Sequence, residues 1–189
     1  MNNFIITISR GFGSNGIAIG KSVAKTLGIS YYDDKALCEL ASERLRHALD
    51  ELDAAGPEDI ELATENVFMM QAAKIRSLAE KENFVIMGRA ADYILRDVPN
   101  VIRINIHSGF DDSVKTVAQR DGISDEEARE KIKRIDCARA EFYQKHTGGV
   151  WNDPMNFDLT LNSSSIGRAS CVELIVKYVE IWKSHHGIA

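Results

Sequence analysis

The sequence predicts an α/β fold in which about five parallel strands form one sheet covered by helices on both faces. Short apolar segments rich in Ile, Val and Phe alternate with longer segments whose apolar residues recur every three or four positions. Two of the short segments, FIITI from Phe4 and FVIM from Phe84, are apolar throughout, as are strands buried on both faces. Strands separated by helices run parallel, which places the helices on the two faces of the sheet.

The first part of the chain predicts two strands and two helices. After the strand at 3–8, apolar residues at helical spacing predict a helix that begins near Ile17 and ends at Gly28, a natural helix stop. A short strand at 29–32 follows, and then a helix from Lys35 to about Arg46. Gly56-Pro57 breaks the chain before the next helix.

The remainder of the chain alternates in the same way. A long helix is predicted from Glu58 to Glu82, strands at 84–87, 101–106 and 157–161, and a closing helix at 166–182. Ser124-x-x-Glu127 is a capping box that begins a charged helix running to about Lys145. Because no repeat or linker interrupts this order, residues 1–189 are predicted to form a single domain.

Composition excludes several classes of protein. With 23 Lys and Arg against 28 Asp and Glu, the net charge of −5 argues against a nucleic-acid partner, which requires a basic face. No apolar segment approaches the roughly 18–20 residues of a membrane span, and no leader precedes the first strand, so a cytoplasmic protein without a membrane partner is predicted. The three widely spaced cysteines, Cys38, Cys137 and Cys171, are predicted to be buried small hydrophobic residues. The composition leaves monomer and homodimer open.

A glycine-rich turn, SRGFGSNG, joins the first strand to the first helix. Such a turn brings backbone N–H groups and a helix N-terminus to one point, and glycines let phosphate oxygens approach the backbone closely. We therefore predict a phosphate-binding loop, and a plain tight turn is the alternative. The predicted loop residues are Ser9, Gly11, Gly13, Ser14, Asn15 and Gly16.

Two other motifs compete with this assignment. GFGSNG also fits the G-x-G-x-x-G of dinucleotide-binding oxidoreductases, with Asp33 at 22 residues beyond Gly11. However, about fifty residues after Asp34 carry a helical pattern and no strand, which is too long for the second unit of such a fold. The G-K-S at 20–22 lies inside the predicted helix, where it cannot wrap around a phosphate.

Several segments in collinear order resemble one family, the cytidylate-kinase-like P-loop proteins, which are relatives of nucleoside monophosphate kinases. The segments are ITISRGFGSNG, YYDD, VIMGRAADYIL, RIDCARAEFYQKHTG with W-x-D-P, and NFDLTLNSSSIG. The resemblance implies a three-layer P-loop kinase fold with a helical acceptor-binding region at about 34–82 and a lid at about 124–150. It implies phosphoryl transfer from ATP, with Mg²⁺, to a nucleotide acceptor, foremost CMP or dCMP.

The resemblance also implies roles for individual residues. Arg89 would bind the acceptor monophosphate, and Asp33 would contact the acceptor nucleotide, although Asp33 also suits the N-cap of the next helix. On the lid helix, Arg134 and Arg139 would neutralise the transferred phosphoryl group. Lys131 is a further candidate there, Asp136 would orient an arginine, and a solvated helix with a Glu130–Arg134 pair is the alternative.

The loop departs from the kinase pattern where a Lys and then a Ser or Thr are expected. Those positions hold Gly16 and Ile17, followed by Ala18, and Met87 stands where an acid is expected before Gly-Arg. Arg10 in the loop, or else Lys35, is predicted to supply the missing positive charge. No residue can be identified as a magnesium ligand. The alternative function is therefore a nucleotide-binding protein of the same fold with weakened or lost catalysis.

Overall fold

The sheet has five parallel strands, as the sequence predicts. The computed structural model describes residues 3–39 and 60–188, together with positions 47, 50, 51 and 53. The strands are β1 (Ile5–Arg10), β2 (Ser30–Tyr32), β3 (Phe84–Met87), β4 (Val101–His107) and β5 (Leu159–Asn162). Their order in the sheet is β2-β3-β1-β4-β5, and every pair is parallel. The central β1 pairs with β3 and β4, and this places its carboxyl end between those of its neighbours.

Helices connect the strands across both faces. They are α1 (Gly16–Leu27), α2 (Asp34–Glu39), α3 (Ile60–Ala79), α4 (Ala91–Ile94), α5 (Phe110–Asp121), α6 (Asp125–Thr147) and α7 (Ser163–His186). The sequence reasoning missed α4 and α5, because α4 is one turn long and α5 buries few apolar side chains. α7 begins earlier than predicted, and Gly167 interrupts it with φ 79° and ψ 162°.

The sheet separates two apolar layers, because successive side chains of β1 lie on opposite faces of it. Ile6 and Ile8 lie in one cluster, with Ile19 of α1 and Ile175 of α7, whereas Ile5 lies in the other cluster. The second cluster is formed with side chains of α3, α4 and α6. Successive side chains of a strand point to opposite faces, so a strand of continuous isoleucines can serve both layers. The three-layer arrangement predicted from the sequence is confirmed.

The first helix lies tightly against the sheet at Gly20. A Cβ atom at this position would lie 2.7 Å from the Sδ atom of Met87, so a larger residue would require the Met87 side chain to move. Gly20 and the following Lys21 and Ser22 lie in the middle of α1, which spans Gly16–Leu27. The prediction that this G-K-S lies inside the first helix is confirmed.

A third, smaller apolar cluster joins α5 and α6. Val114 and Val117 of α5 pack against Ala128 and Ile132 of α6, and Phe12 from the glycine-rich turn packs against this cluster. The predicted capping box begins α6: Glu127 N donates to Ser124 Oγ at 3.2 Å and Ser124 N to the Glu127 carboxylate at 2.9 Å. The turn after β1 is thus tied to the helix that the sequence assigns to the lid.

Several sequence expectations need correction or fall outside the description. Cys171 is buried as predicted, but Cys137 is exposed on α6, where its Sγ donates to Glu141 at 3.3 Å. The side chain of Cys38 lies outside the described residues. No helix within the described part of the chain is long and apolar enough to cross a membrane.

Candidate functional site

Two adjoining cavities open at the carboxyl edge of the sheet, where open α/β sheets bind ligands. The loop cavity, about 430 Å³, is lined by the turn from Gly11 to Ala18 and by Lys21, Thr116 and Arg120. The arginine cavity, about 340 Å³, lies beside it, between the ends of β1 and β3 and the helix α6. Its charged lining consists of the following side chains: Arg10, Arg89, Arg134, Arg139, Asp34 and Asp92.

The turn has the backbone shape that an anion-binding loop requires. Gly13 has φ 85°, and a Cβ there would lie 2.9 Å from Ser113 of α5, so only glycine is compatible with both constraints. Ser14 Oγ donates to Gly11 O at 2.9 Å, and Ser163 Oγ donates to Ser14 O at 2.8 Å. These bonds hold the turn from both sides, and α1 begins at Gly16 with its N-terminus at the cavity. The positive end of the helix dipole therefore favours an anion there.

One of the predicted loop residues lies elsewhere. Ser9 is still in β1 and lines the arginine cavity, where its Oγ donates to Asn152 Oδ1 at 2.9 Å. Gly11, Gly13, Ser14, Asn15 and Gly16 line the loop cavity as the prediction requires. Since successive residues of a strand point to opposite sides, the last residues of β1 do not all face the loop.

Arg10 lines both cavities and extends across two glycines. A Cβ at Gly16 would lie 2.7 Å from Arg10 Cβ, and a Cβ at Gly88 would overlap the Arg10 guanidinium. Burial lowers the pKa of Arg10, and the charge of Arg139 lowers it further. Its Nε is buried and has no hydrogen-bond partner among the described residues. A cation with an unused buried donor between two cavities is suited to an anionic ligand.

Arg139 also lines both cavities, and it is held there by two contacts. Its Nη1 donates to Asp136 Oδ1 at 2.9 Å and to the backbone oxygen of Arg10 at 3.2 Å. Phe12 N donates to the same carboxylate, at 3.0 Å to Oδ1. Burial raises the pKa of Asp136, against the opposite effects of the Phe12 N–H and Arg139. The prediction that Asp136 orients an arginine is confirmed.

The other lid candidates divide between the site and the surface. Arg134 lines the arginine cavity. Lys131 does not line either cavity, because it pairs with Asp121 at 2.9 Å. Glu130 pairs with Lys133 at 2.9 Å, whereas the sequence suggested a pair with Arg134. Lys35, the second candidate for the missing charge, lines neither cavity.

Of the two adjacent acids after β2, the second lies in the site. Asp33 Oδ1 accepts from Ala36 N at 3.1 Å, so Asp33 caps α2 and the N-cap alternative is confirmed. Asp34 lines the arginine cavity and forms an ion pair with Arg89. Arg89 lies there because β3 ends at Met87 and the chain turns through Gly88 and Arg89, which has φ 60°. The resemblance implied that Asp33 contacts the acceptor, but the turn after β2 places Asp34 in the cavity instead.

Four further side chains line the cavities, and none of them has a role predicted from the sequence: Asp92, Arg120, Tyr143 and Trp151. Asp92 is 8% exposed, and Tyr143 Oη donates to its Oδ2 at 2.7 Å. Burial raises the pKa of Asp92, and burial together with Asp92 raises the pKa of Tyr143. Asp92, Tyr143 and Trp151 line the arginine cavity, and Arg120 lines the loop cavity. The spacing of three positions from Arg89 to Asp92 fits one helical turn, but no sequence pattern distinguishes this acid from a surface one.

The residues at the loop do not fit a magnesium ion held by protein ligands. Ile17 and Ala18 offer no hydroxyl group, and Met87 is fully buried in the core. Within the described ranges, no three His, Cys, Asp or Glu side chains are grouped so that they could hold a metal ion. Glycine amides and arginines fit phosphate groups, so the site suits an anionic ligand that brings its own counter-ion.

The five-stranded parallel sheet with a glycine loop after β1 defines the class of P-loop kinase folds. A shikimate kinase from Bacteroides thetaiotaomicron shares this fold, with a TM-score of 0.57 and 16% identity over 94% of this chain and 98% of that one. The family model of the cytidylate kinase-like family matches residues 5–165, and the chain belongs to that family.

Two further proteins are similar over nearly the whole chain. A cytidylate kinase from Ignicoccus hospitalis is 24% identical over 173 residues, which are 90% of this chain and 96% of that protein. A solved structure of an uncharacterized protein from Eubacterium ventriosum has a TM-score of 0.79 and 28% identity, over 94% of this chain and 99% of the other. The resemblance seen in the sequence is thereby confirmed at the level of the family.

Proposed function

We propose that this protein is a nucleoside monophosphate kinase-like phosphotransferase that transfers the γ-phosphoryl group of ATP to a nucleoside monophosphate, foremost CMP or dCMP. The observation that carries the proposal is the arrangement of two adjoining cavities with Arg10 and Arg139 in the lining of both. A reaction between two phosphates needs two anion sites and cations where they meet. Family membership supports the same conclusion.

The donor belongs in the loop cavity and the acceptor in the arginine cavity. Backbone N–H groups of the glycine turn and the N-terminus of α1 would hold the ATP phosphates, with Arg120 beside them. Arg89 and Arg134 would bind the acceptor phosphate, since a guanidinium group can donate two parallel bonds to phosphate oxygens. The donor brings its magnesium ion as the Mg–ATP complex.

Transfer would then take place between the cavities. An oxygen of the acceptor phosphate attacks the γ-phosphorus, the bond from that phosphorus to the β,γ-bridging oxygen breaks, and ADP leaves with the electron pair. No general base is needed, because the attacking phosphate oxygen already carries charge. Arg10 and Arg139 would neutralise the charge that spreads over the transferring group, which is the main task in phosphoryl transfer. Arg10 would supply the positive charge that the loop lysine provides in ordinary P-loop kinases.

The test is acceptor-dependent release of ADP from Mg–ATP, measured with CMP, dCMP, UMP, AMP, GMP and no acceptor. Arg10→Ala and Arg139→Ala should each lower the rate by roughly 10²–10³-fold, the usual effect of removing one transition-state donor. Arg129→Ala is the matched control, because Arg129 lies on the same helix α6 but pairs with Asp111 outside both cavities. An Arg129→Ala rate equal to that of Arg139→Ala would contradict the assignment of Arg139.

A binding protein without transferase activity is the second candidate function, and Gly16, Ile17 and Met87 favour it. All three depart from the residues that hold and activate the donor in ordinary P-loop kinases. Calorimetric binding and ADP release, measured together, distinguish the two functions. Binding of ADP and CMP in calorimetry without acceptor-dependent ADP release would support the binding protein and refute the transferase.

A further inference from the structure

The arginine cavity has two chemically different ends. At one end it shares Arg10 and Arg139 with the loop cavity. At the other end it shares Asp92 and Tyr143 with a third cavity of about 430 Å³, which is also lined by Arg103. A phosphorylated acceptor whose phosphate faces the loop cavity therefore directs its other end towards Asp92 and Tyr143.

Asp92 is the acid of this cavity that has no charged partner among the described residues. Asp34 is paired with Arg89, whereas Asp92 forms no ion pair with any residue that the structure describes. The guanidinium of Arg103 donates to backbone carbonyls, including Val101 O at 3.4 Å and Leu95 O at 3.3 Å. Burial raises the pKa of Asp92, and the charge of Arg103 lowers it.

The carboxylate of Asp92 has room for a further hydrogen-bond donor. Its Oδ2 accepts from Tyr143 Oη at 2.7 Å. An ionised carboxylate has about four lone-pair positions, so this bond leaves positions for a ligand. Because Asp92 is buried at the end of the cavity, a ligand group there can replace water and must satisfy this acceptor.

We infer that Asp92 selects the acceptor by accepting a hydrogen bond from an N–H or O–H group at the end opposite the phosphate. This inference rests on the proposed function, since it assumes a phosphorylated acceptor in the arginine cavity. An amino group on a pyrimidine can donate this hydrogen bond. An oxo group in the same position cannot, because its oxygen and the Asp92 carboxylate are both acceptors. A sugar hydroxyl is the other source of the same donor chemistry.

The test is calorimetric binding of CMP, UMP and dCMP without ATP. UMP replaces the amino group by an oxo group, and dCMP lacks the 2′-hydroxyl. The wild-type protein should bind CMP about tenfold or more tightly than at least one of the other two, as expected for a bond to a charged group. In Asp92→Asn this ratio should fall towards one, because an amide can both donate and accept.

Tyr143→Phe is the matched control. It removes the same Tyr143–Asp92 bond from the other side and leaves the carboxylate in place, so it should keep the wild-type ratio. An equal loss of the ratio in both variants would overturn the inference in favour of a structural role. Equal binding of the three ligands by the wild type would also overturn it. If none of the three binds, the proposed function fails and the inference with it.

Discussion

At position 16 the chain has a glycine where ordinary phosphate loops have a lysine, and the space for that side chain is taken by Arg10. The two Cβ atoms would be 2.7 Å apart, closer than real Cβ contacts, so residues 10 and 16 cannot both carry side chains in this backbone. The Arg10 guanidinium continues over Gly88, which likewise has no room for a Cβ. The absence of the lysine is thus matched by a groove between two glycines that accommodates an arginine.

Gly16→Lys should therefore fail to restore an ordinary loop. We expect it to lower the free energy of unfolding by roughly 1–3 kcal/mol, the usual cost of inserting atoms into a packed region. It should also lower ADP release, because Arg10 is displaced. Urea denaturation measures the first effect, and Ile17→Lys is the control, since Ile17 is 46% exposed and should lose much less stability. A Gly16→Lys protein with unchanged stability and faster ADP release would contradict this account.

At the scale of elements, α6 connects the parts of the site. Its capping box fixes its start, Ile132 packs against α5, and Asp136 and Arg139 hold the turn after β1. Tyr143, one turn further along, bonds to α4. A single helix therefore positions groups at both ends of the arginine cavity, and its stability bears on the whole site.

Ser124→Ala should lower the free energy of unfolding by about 1 kcal/mol, because it leaves an N–H of the first turn of α6 without its cap. Ser124→Thr, which keeps the hydroxyl group, should lose much less. Urea denaturation of the three proteins checks the difference. Equal stability of the alanine and threonine variants would show that the capping box of α6 makes no net contribution.

At the scale of the whole molecule, the order of the strands divides the candidate site into two regions, one at each cavity. The carboxyl end of β1 leads into the loop cavity, and those of β2 and β3 lead to Asp34 and Arg89 in the arginine cavity. Because β1 lies between β3 and β4, the residues at its end border both regions. Donor and acceptor binding should therefore be separable by mutation.

Arg89→Ala should weaken CMP binding at least about tenfold and leave ADP binding unchanged, since it removes a charge-assisted contact in one cavity. Arg120→Ala should do the reverse, because Arg120 lines only the loop cavity of the two. Calorimetry with each ligand measures both effects, and circular dichroism checks that the fold is intact. If each variant weakened both ligands equally, one shared site would replace the two proposed here.

The sequence was sufficient for the five strands, for the longer helices other than α5 and for most of the loop, because these depend on local patterns. The last strand shows the limit of this reasoning. It was expected at 157–161 but runs Leu159–Asn162, since Phe157 follows a short 3₁₀ turn and the Asp158 carboxylate accepts from Arg103 N at 2.7 Å. The boundary is set by this contact to β4, which is 55 residues away in the sequence. The periodicity of apolar residues contains no information about such a contact.

The sequence by itself determined the parallel α/β sheet, the glycine turn after the first strand, and the collinear motifs of the family, because periodicity and spacing are properties of the chain alone. Only the tertiary structure decided that Asp34 rather than Asp33 lies in the cavity, that Lys131 pairs with Asp121, and that Asp92 lines the arginine cavity. At a turn or on a helix, neighbouring side chains point in different directions, and which of them reaches a cavity depends on the elements that close it.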